Sequence, residues 1–177
     1  MPINIQERYL LYIGHIHPYK GLKYLYESAN MLDLESLNIR IVVAGGGYDP
    51  IITKMKSDKN FVVINHFIDN AELVGLIRNS IALVCPYISA SQSGLVQTAM
   101  VFNKPVIATK VGAFEEVIEH GINGILCEPA NASSLAKAIN KVFELDNNNF
   151  SYNISEKLNW NYISNEYISI FNSIKNG

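Results

Sequence analysis

The sequence predicts an α/β fold in which a doubly wound, parallel six-stranded sheet carries helices on both faces. Three observations lead there: short apolar runs alternate with helical stretches six times along 177 residues, most of those runs are apolar throughout, and Gly or Pro punctuates the junctions. With 49% apolar residues the chain can bury one sizeable core, so one domain is expected. A net charge of -2 and the absence of a dense Lys/Arg run exclude the electrostatic footprint of nucleic acid or of an anionic membrane surface. The expected partner is a small molecule. No apolar run approaches the ~20 residues that span a bilayer, and the N-terminus lacks a signal-peptide pattern, so a cytoplasmic location is expected. Cys85 and Cys127 end predicted strands and read as buried free thiols, with neither a disulfide nor a metal site.

Taken in order, Tyr9 to Ile13 is a strand, and Gly14-His15-Ile16-His17-Pro18-Tyr19-Lys20-Gly21 is the loop leaving its end. A helix follows, with Leu22, Leu25, Tyr26, Ala29 and Leu32 on one face. Ile39 to Ala44 is the second strand. Gly45-Gly46-Gly47 turns it into a helix from about Pro50, proline suiting a first helical position. The triplet reads equally well as a plain strand-to-helix turn and as a ligand contact. Phe61 to Ile64 is the third strand, with Asn70 as cap for a helix over Ala71 to Asn79. Ile81 to Cys85 is the fourth, and Val106 to Ala108 the fifth. A short helix over Phe114 to Glu119 is stopped by Gly121, Gly124 to Cys127 makes the sixth strand, and Asn131 caps a helix over Ala132 to Asp146. That last helix buries a stripe of Leu135, Ala138, Ile139, Val142 and Phe143.

In such Rossmann-like sheets the ligand lies beyond the C-terminal strand ends where the winding reverses, between the first and fourth strands. That places the His15–Lys20 loop opposite the Ser91–Gly94 loop, where Ser91, Gln92 and Ser93 offer polar groups and Gly94 opens a helix. Orphan N–H donors and the helix dipole converge there, which suits a phosphate. His15 and His17 form a His-x-His pair, but no third ligand of suitable spacing accompanies it, and a ligand-facing imidazole is the better reading. Adjacent Glu115 and Glu116 sit at a helix start, where negative charge is favourable, and His66 and His120 read as surface or loop residues.

These motifs together resemble the C-terminal, donor-binding domain of group 1 glycosyltransferases, retaining two-lobed enzymes of GT-B architecture. The resemblance runs over nearly the whole chain: Gly14 through Pro18-Tyr19-Lys20-Gly21, Ala44-Gly45-Gly46-Gly47, Phe67-Ile68, Ala108 through Gly124, and Glu128-Pro129-Ala130-Asn131. It implies that Lys20 and His15 hold a donor diphosphate and act in catalysis, with backbone amides near Gly94 and Leu95 completing the site. Gly14, Gly46 and Phe67 would border the nucleotide, Ser91, Gln92 or Ser93 would read the sugar, and Thr98 would meet the ribose. Neither a cofactor nor a metal is implied; the substrate would be a nucleotide-diphosphate sugar. Two glutamates common in the family are replaced by Ala90 and Thr98, and an arginine by His15. Residues 1–146 would form the nucleotide-sugar-binding domain and 147–177 a helical tail, whose Trp160, Tyr162, Tyr167 and Phe171 carry a risk of self-association. A glycan or lipid-linked acceptor would bind an N-terminal lobe absent from the chain, so transfer would need that lobe, and the full-length protein would be cytoplasmic or peripheral at the inner membrane face. The other reading is a non-catalytic nucleotide-binding or partner-lobe module with a degenerate site; a sugar epimerase fits less well, since no acid–base set is visible.

Overall fold

In a computed structural model, which describes residues 5–90 and 94–144 and the single positions 164 and 168, six parallel strands lie in the order β3-β2-β1-β4-β5-β6. Strands β1 (Arg8–Ile13), β2 (Ile39–Ala44) and β3 (Phe61–Ile64) wind one way, and β4 (Ala82–Cys85), β5 (Val106–Thr109) and β6 (Gly124–Cys127) wind the other. β1 is central. It pairs with β2 from Arg8↔Ile39 to Ile13↔Ala44, and with β4 through Leu10↔Ala82 and Leu11↔Leu83. Right-handed crossovers that run in opposite directions along the sheet place their helices on opposite faces. This is why the central strands are apolar apart from Arg8 and Arg40 near their N-terminal ends: Leu10, Leu11, Tyr12, Val42, Val43, Leu83 and Val84 are all buried.

Around the sheet stand α1 (Leu22–Ala29), α2 (Ile51–Lys56), α3 (Asn70–Asn79), α4 (Gly94–Val101), α5 (Phe114–Val117) and α6 (Ala132–Val142). α1 packs against α2 and α6, α6 lies over β5 and β6, and α3 covers β1. Leu135, Ala138, Ile139 and Val142 of α6 are buried as their spacing requires, each large side chain contributing roughly 1.5–3 kcal/mol of transfer free energy. Tyr9 brings a hydroxyl into the core and satisfies it by donating to the Leu76 carbonyl at 2.8 Å, which fastens β1 to α3. Burial raises that phenol to about 12.

Several element ends differ from the sequence expectation. Asp69, not Asn70, caps α3: its carboxylate accepts from the Glu72 amide at 2.8 Å while Glu72 accepts from the Asp69 amide at 3.1 Å, a reciprocal capping box. Pro50 is the N-cap of α2 and not its first helical residue, and the Asp49 carboxylate accepts from the Ile51 amide at 3.1 Å. α5 stops at Val117 because Ile118 turns extended, with φ -99 and ψ 113, to bury its side chain; Gly121 therefore does not cap the helix but turns the chain into β6 at φ 85. α6 ends at Val142. Cys85 and Cys127 are buried and free, and burial pushes both thiols up to about 12. The tail aromatics and the boundary at 146/147 lie outside the described residues.

Candidate functional site

The C-terminal edge of the sheet is a place where three chain segments cross with no room for side chains. Gly45 at φ 149 lies so close to the Gly14 carbonyl oxygen that a Cβ there would stand 1.8 Å from it. The Gly14 amide donates to Ala44 at 3.0 Å, Ile16 donates to Gly46 at 2.8 Å, and Tyr48 donates back to Ile16 at 2.9 Å. The glycine triplet is thus a stitch between the ends of β1 and β2. Across the switch point, a Cβ on Gly21 would fall 1.8 Å from the Pro86 carbonyl oxygen, and the Ile88 amide donates to the Tyr19 carbonyl at 2.9 Å. The β1 loop is therefore tied to β2 on one side and to the β4 exit on the other.

This frame carries His15, His17 and Lys20 on the β1 loop. A short 3-10 turn, Pro18–Lys20, ends in left-handed Gly21 (φ 73), and His17 caps it by accepting from the Tyr19 amide at 3.5 Å. Tyr12 donates to the His15 carbonyl at 2.8 Å from beneath, and the His15 ring rests against Gly47, whose Cβ would meet it at 2.9 Å. The His15 and His17 rings stack with centroids 6.2 Å apart. Among the described residues no group of three His, Cys, Asp or Glu could hold a metal ion. Lys20 sets its Nζ 3.7 Å from the Tyr87 ring centroid and 5.0 Å from that of Tyr19, and no carboxylate pairs with it among the described residues.

Opposite stands the start of α4. Its first turn holds no acidic residue, and the Leu95 side chain reaches to 3.3 Å of where a Gly14 Cβ would be. A Cβ on Gly94 would meet nothing within 4 Å, and the first N–H groups of any α-helix lack partners within the helix. Phe67, 85% exposed, and Tyr48, 76% exposed, stand at the ends of β3 and β2, with Gly46 between them and a Cβ distance of 3.6 Å to the Phe67 amide. Ser91, Gln92 and Ser93 lie outside the described residues. Thr98 is one turn into α4 and donates its hydroxyl proton to the Gly94 carbonyl at 2.9 Å, leaving its oxygen lone pairs as acceptors; Ala90 packs partly against the core. A groove of about 600 Å³ lined by Tyr26, Thr53, Lys54, Ser57, Asp58 and Lys59 shares no residue with this edge.

A lysine without a carboxylate partner among the described residues and a helix start without an acidic residue, on segments joined at the same sheet edge, are groups suited to an anion. Tyr87 was not read as part of it from the sequence. Its only signal there is an aromatic directly after a strand-ending Pro86, which carries no pattern by itself. Gly21 was also read as part of a motif and not as the point where two loops touch.

An open six-stranded parallel sheet of this order is Rossmann-like, the architecture seen in GT-B glycosyltransferases. The chain belongs to the glycosyl transferases group 1 family, whose model matches residues 7–144. An uncharacterized glycosyltransferase of Methanocaldococcus jannaschii is 27% identical over 179 residues, covering 96% of this chain and 46% of its own length. A second from the same organism is 31% identical over 147 residues, covering 78% and 38%. The chain thus spans less than half the length of these relatives. Among solved structures, Anabaena HepE in complex with UDP and glucose superposes with a TM-score of 0.73 at 20% identity, over 93% of this chain and 48% of that one, a likeness of fold.

Proposed function

We propose that this chain is the donor-binding half of a retaining glycosyltransferase. It takes a nucleotide-diphosphate sugar, and the whole enzyme transfers the sugar to a glycan or lipid-linked acceptor bound by a second lobe, in bacterial surface polysaccharide synthesis at the inner face of the membrane. What supports this reading is that the loop carrying Lys20 lies at the β1/β4 switch point, against the β4 exit at Gly21 and Pro86 and against α4 at Gly14 and the Leu95 side chain. In the reaction negative charge grows on the leaving diphosphate. A lysine ammonium and preorganised amides stabilise that charge more in the transition state than in the ground state. His15 adds an imidazole to the same loop, Gly14 and Gly46 keep the floor low enough for the nucleotide, and Phe67 borders the base. Ser91, Gln92 and Ser93 read the sugar, and Thr98 accepts from the ribose in place of a carboxylate. Neither cofactor nor metal is required on this reading, and the donor half is inactive alone.

Calorimetric titration with UDP, GDP and ADP tests it. The expected result is binding selective for one base, weakened in Lys20→Ala and in Gly94→Asp, where a carboxylate enters open space and repels the diphosphate without disturbing the fold. Absence of binding by the folded chain would overturn it. The carboxylate-free positions Ala90 and Thr98 favour one rival, a nucleotide-binding module without transfer. That rival predicts nucleotide binding indifferent to an attached sugar, and no turnover with the acceptor lobe restored.

A further inference from the structure

We propose that Tyr87 is a positioning residue for Lys20, its ring holding the ammonium at the cleft before a donor arrives. The inference rests on the diphosphate reading of Lys20 given above. The Nζ sits 3.7 Å from the Tyr87 centroid, well within the range at which a cation is attracted to a ring face. That ring cannot drift. Tyr87 is 1% exposed, its ring leans on Phe114 with centroids 5.4 Å apart, and its carbonyl accepts from the Thr109 hydroxyl at 2.6 Å. The backbone on either side of the ring is fastened to the lysine's own loop, at Pro86 by the close approach of Gly21 and at Ile88 by its bond to Tyr19. Ring and lysine backbone are therefore fixed relative to each other.

The choice of an aromatic partner has a chemical meaning. A free lysine loses up to ~2 kcal/mol of rotamer entropy when a ligand immobilises it, so holding it beforehand favours binding. A carboxylate would hold the ammonium too, but it would cancel the charge that a diphosphate needs. A ring face orders the ammonium while leaving its charge and its outward N–H donors for the ligand. The 40% exposed Tyr19, 5.0 Å from the same nitrogen, forms a second wall on the solvent side.

The test is a double-mutant cycle read by calorimetry with whichever of UDP, GDP and ADP binds the chain most tightly. Tyr87→Phe keeps the ring face and is expected to bind within about twofold of the wild type. Tyr87→Leu is expected to weaken binding roughly three- to tenfold, and to add no further loss in a Lys20→Ala background. Losses that simply add would mean Tyr87 acts through the fold at large, which overturns the inference. An unaffected Tyr87→Leu beside a weakened Lys20→Ala overturns the inference alone, whereas an unaffected Lys20→Ala or a wild type that binds none of the three removes the diphosphate reading and the inference with it. Should Tyr87→Leu not fold, proton NMR of the wild type decides: the Lys20 ε-methylene resonances lie upfield of the other lysines under the ring current, and their absence from that region overturns the proposal.

Discussion

The two ends of the β1–β2–β3 half of the sheet are built on opposite plans. At the N-terminal end charges meet partners: Arg40 lies 3.3 Å from Glu7 and donates from Nε to the Lys59 carbonyl at 2.8 Å, while Lys59 bonds Glu35 at 2.7 Å. At the C-terminal end the chain crosses itself at glycines, and the cation Lys20 has an aromatic ring beneath it where a carboxylate would neutralise it. Both ends present basic side chains to solvent. Arg40 and Lys59 are neutralised by carboxylates, whereas Lys20 has none among the described residues and sits on a loop tied at glycine crossings. It is this combination of an uncompensated charge with a fixed frame that singles out the C-terminal end as the candidate site.

That contrast can be broken at several points. The largest effect is expected from Gly45→Ala, which puts a methyl group against the Gly14 carbonyl in a backbone conformation that L-residues avoid, and is expected to cost about 3 kcal/mol in urea unfolding. A stability change near zero would mean the crossing is soft. Next comes the direct comparison of lysines: Lys20→Ala is expected to weaken nucleoside diphosphate binding roughly ten- to a hundredfold, while Lys59→Ala at the opposite end leaves it unchanged. Equal effects would show binding to be a matter of net charge alone. Asp69→Ala, which removes the capping box beside the site, is expected to lower stability by about 1 kcal/mol without altering nucleotide affinity. Gly75→Ala lies in the middle of α3 with nothing within 4 Å of its Cβ, and is expected to stabilise by about 0.5–1 kcal/mol. Smallest of all, Glu35→Gln breaks an exposed ion pair and is expected to leave the unfolding midpoint where it is.

The strands were legible because buried parallel strands are short apolar runs set off by Gly and Pro; β2, β3 and β6 fall at the residues where the sequence places them. The switch point followed from that alternation together with the strand order usual in doubly wound sheets. Helix ends were less readable for specific reasons. The Asp69-x-x-Glu72 signature was present, yet Asn70 is as good a capping residue by type, and only the reciprocal bonds decide between them. α5 ends early because Ile118 gains more from burial than from another helical turn, a tertiary preference that local spacing does not contain. At the site, the glycines were visible but the strands they let pass were not, since a close approach between Gly45 and Gly14 or Gly21 and Pro86 is a property of two segments at once. Tyr87 was silent for the same reason: an aromatic after a strand becomes a seat for a cation only once a loop from far earlier in the chain is laid across it.

The central position of β1 also governs the order in which this polypeptide can be assembled as it is synthesised. Of the six strands β1 is made before the others, and one side of it is closed as soon as β2 follows, but its other neighbour, β4, emerges only after β3 and α3. Until then the nascent chain carries a strand that is apolar from Tyr9 to Ile13 with an open hydrogen-bonding edge, the kind of surface that recruits chaperones or pairs with another chain. Nascent chains arrested before Ala82 should therefore be protease-sensitive and aggregation-prone along β1, and those extended past Thr109 protected.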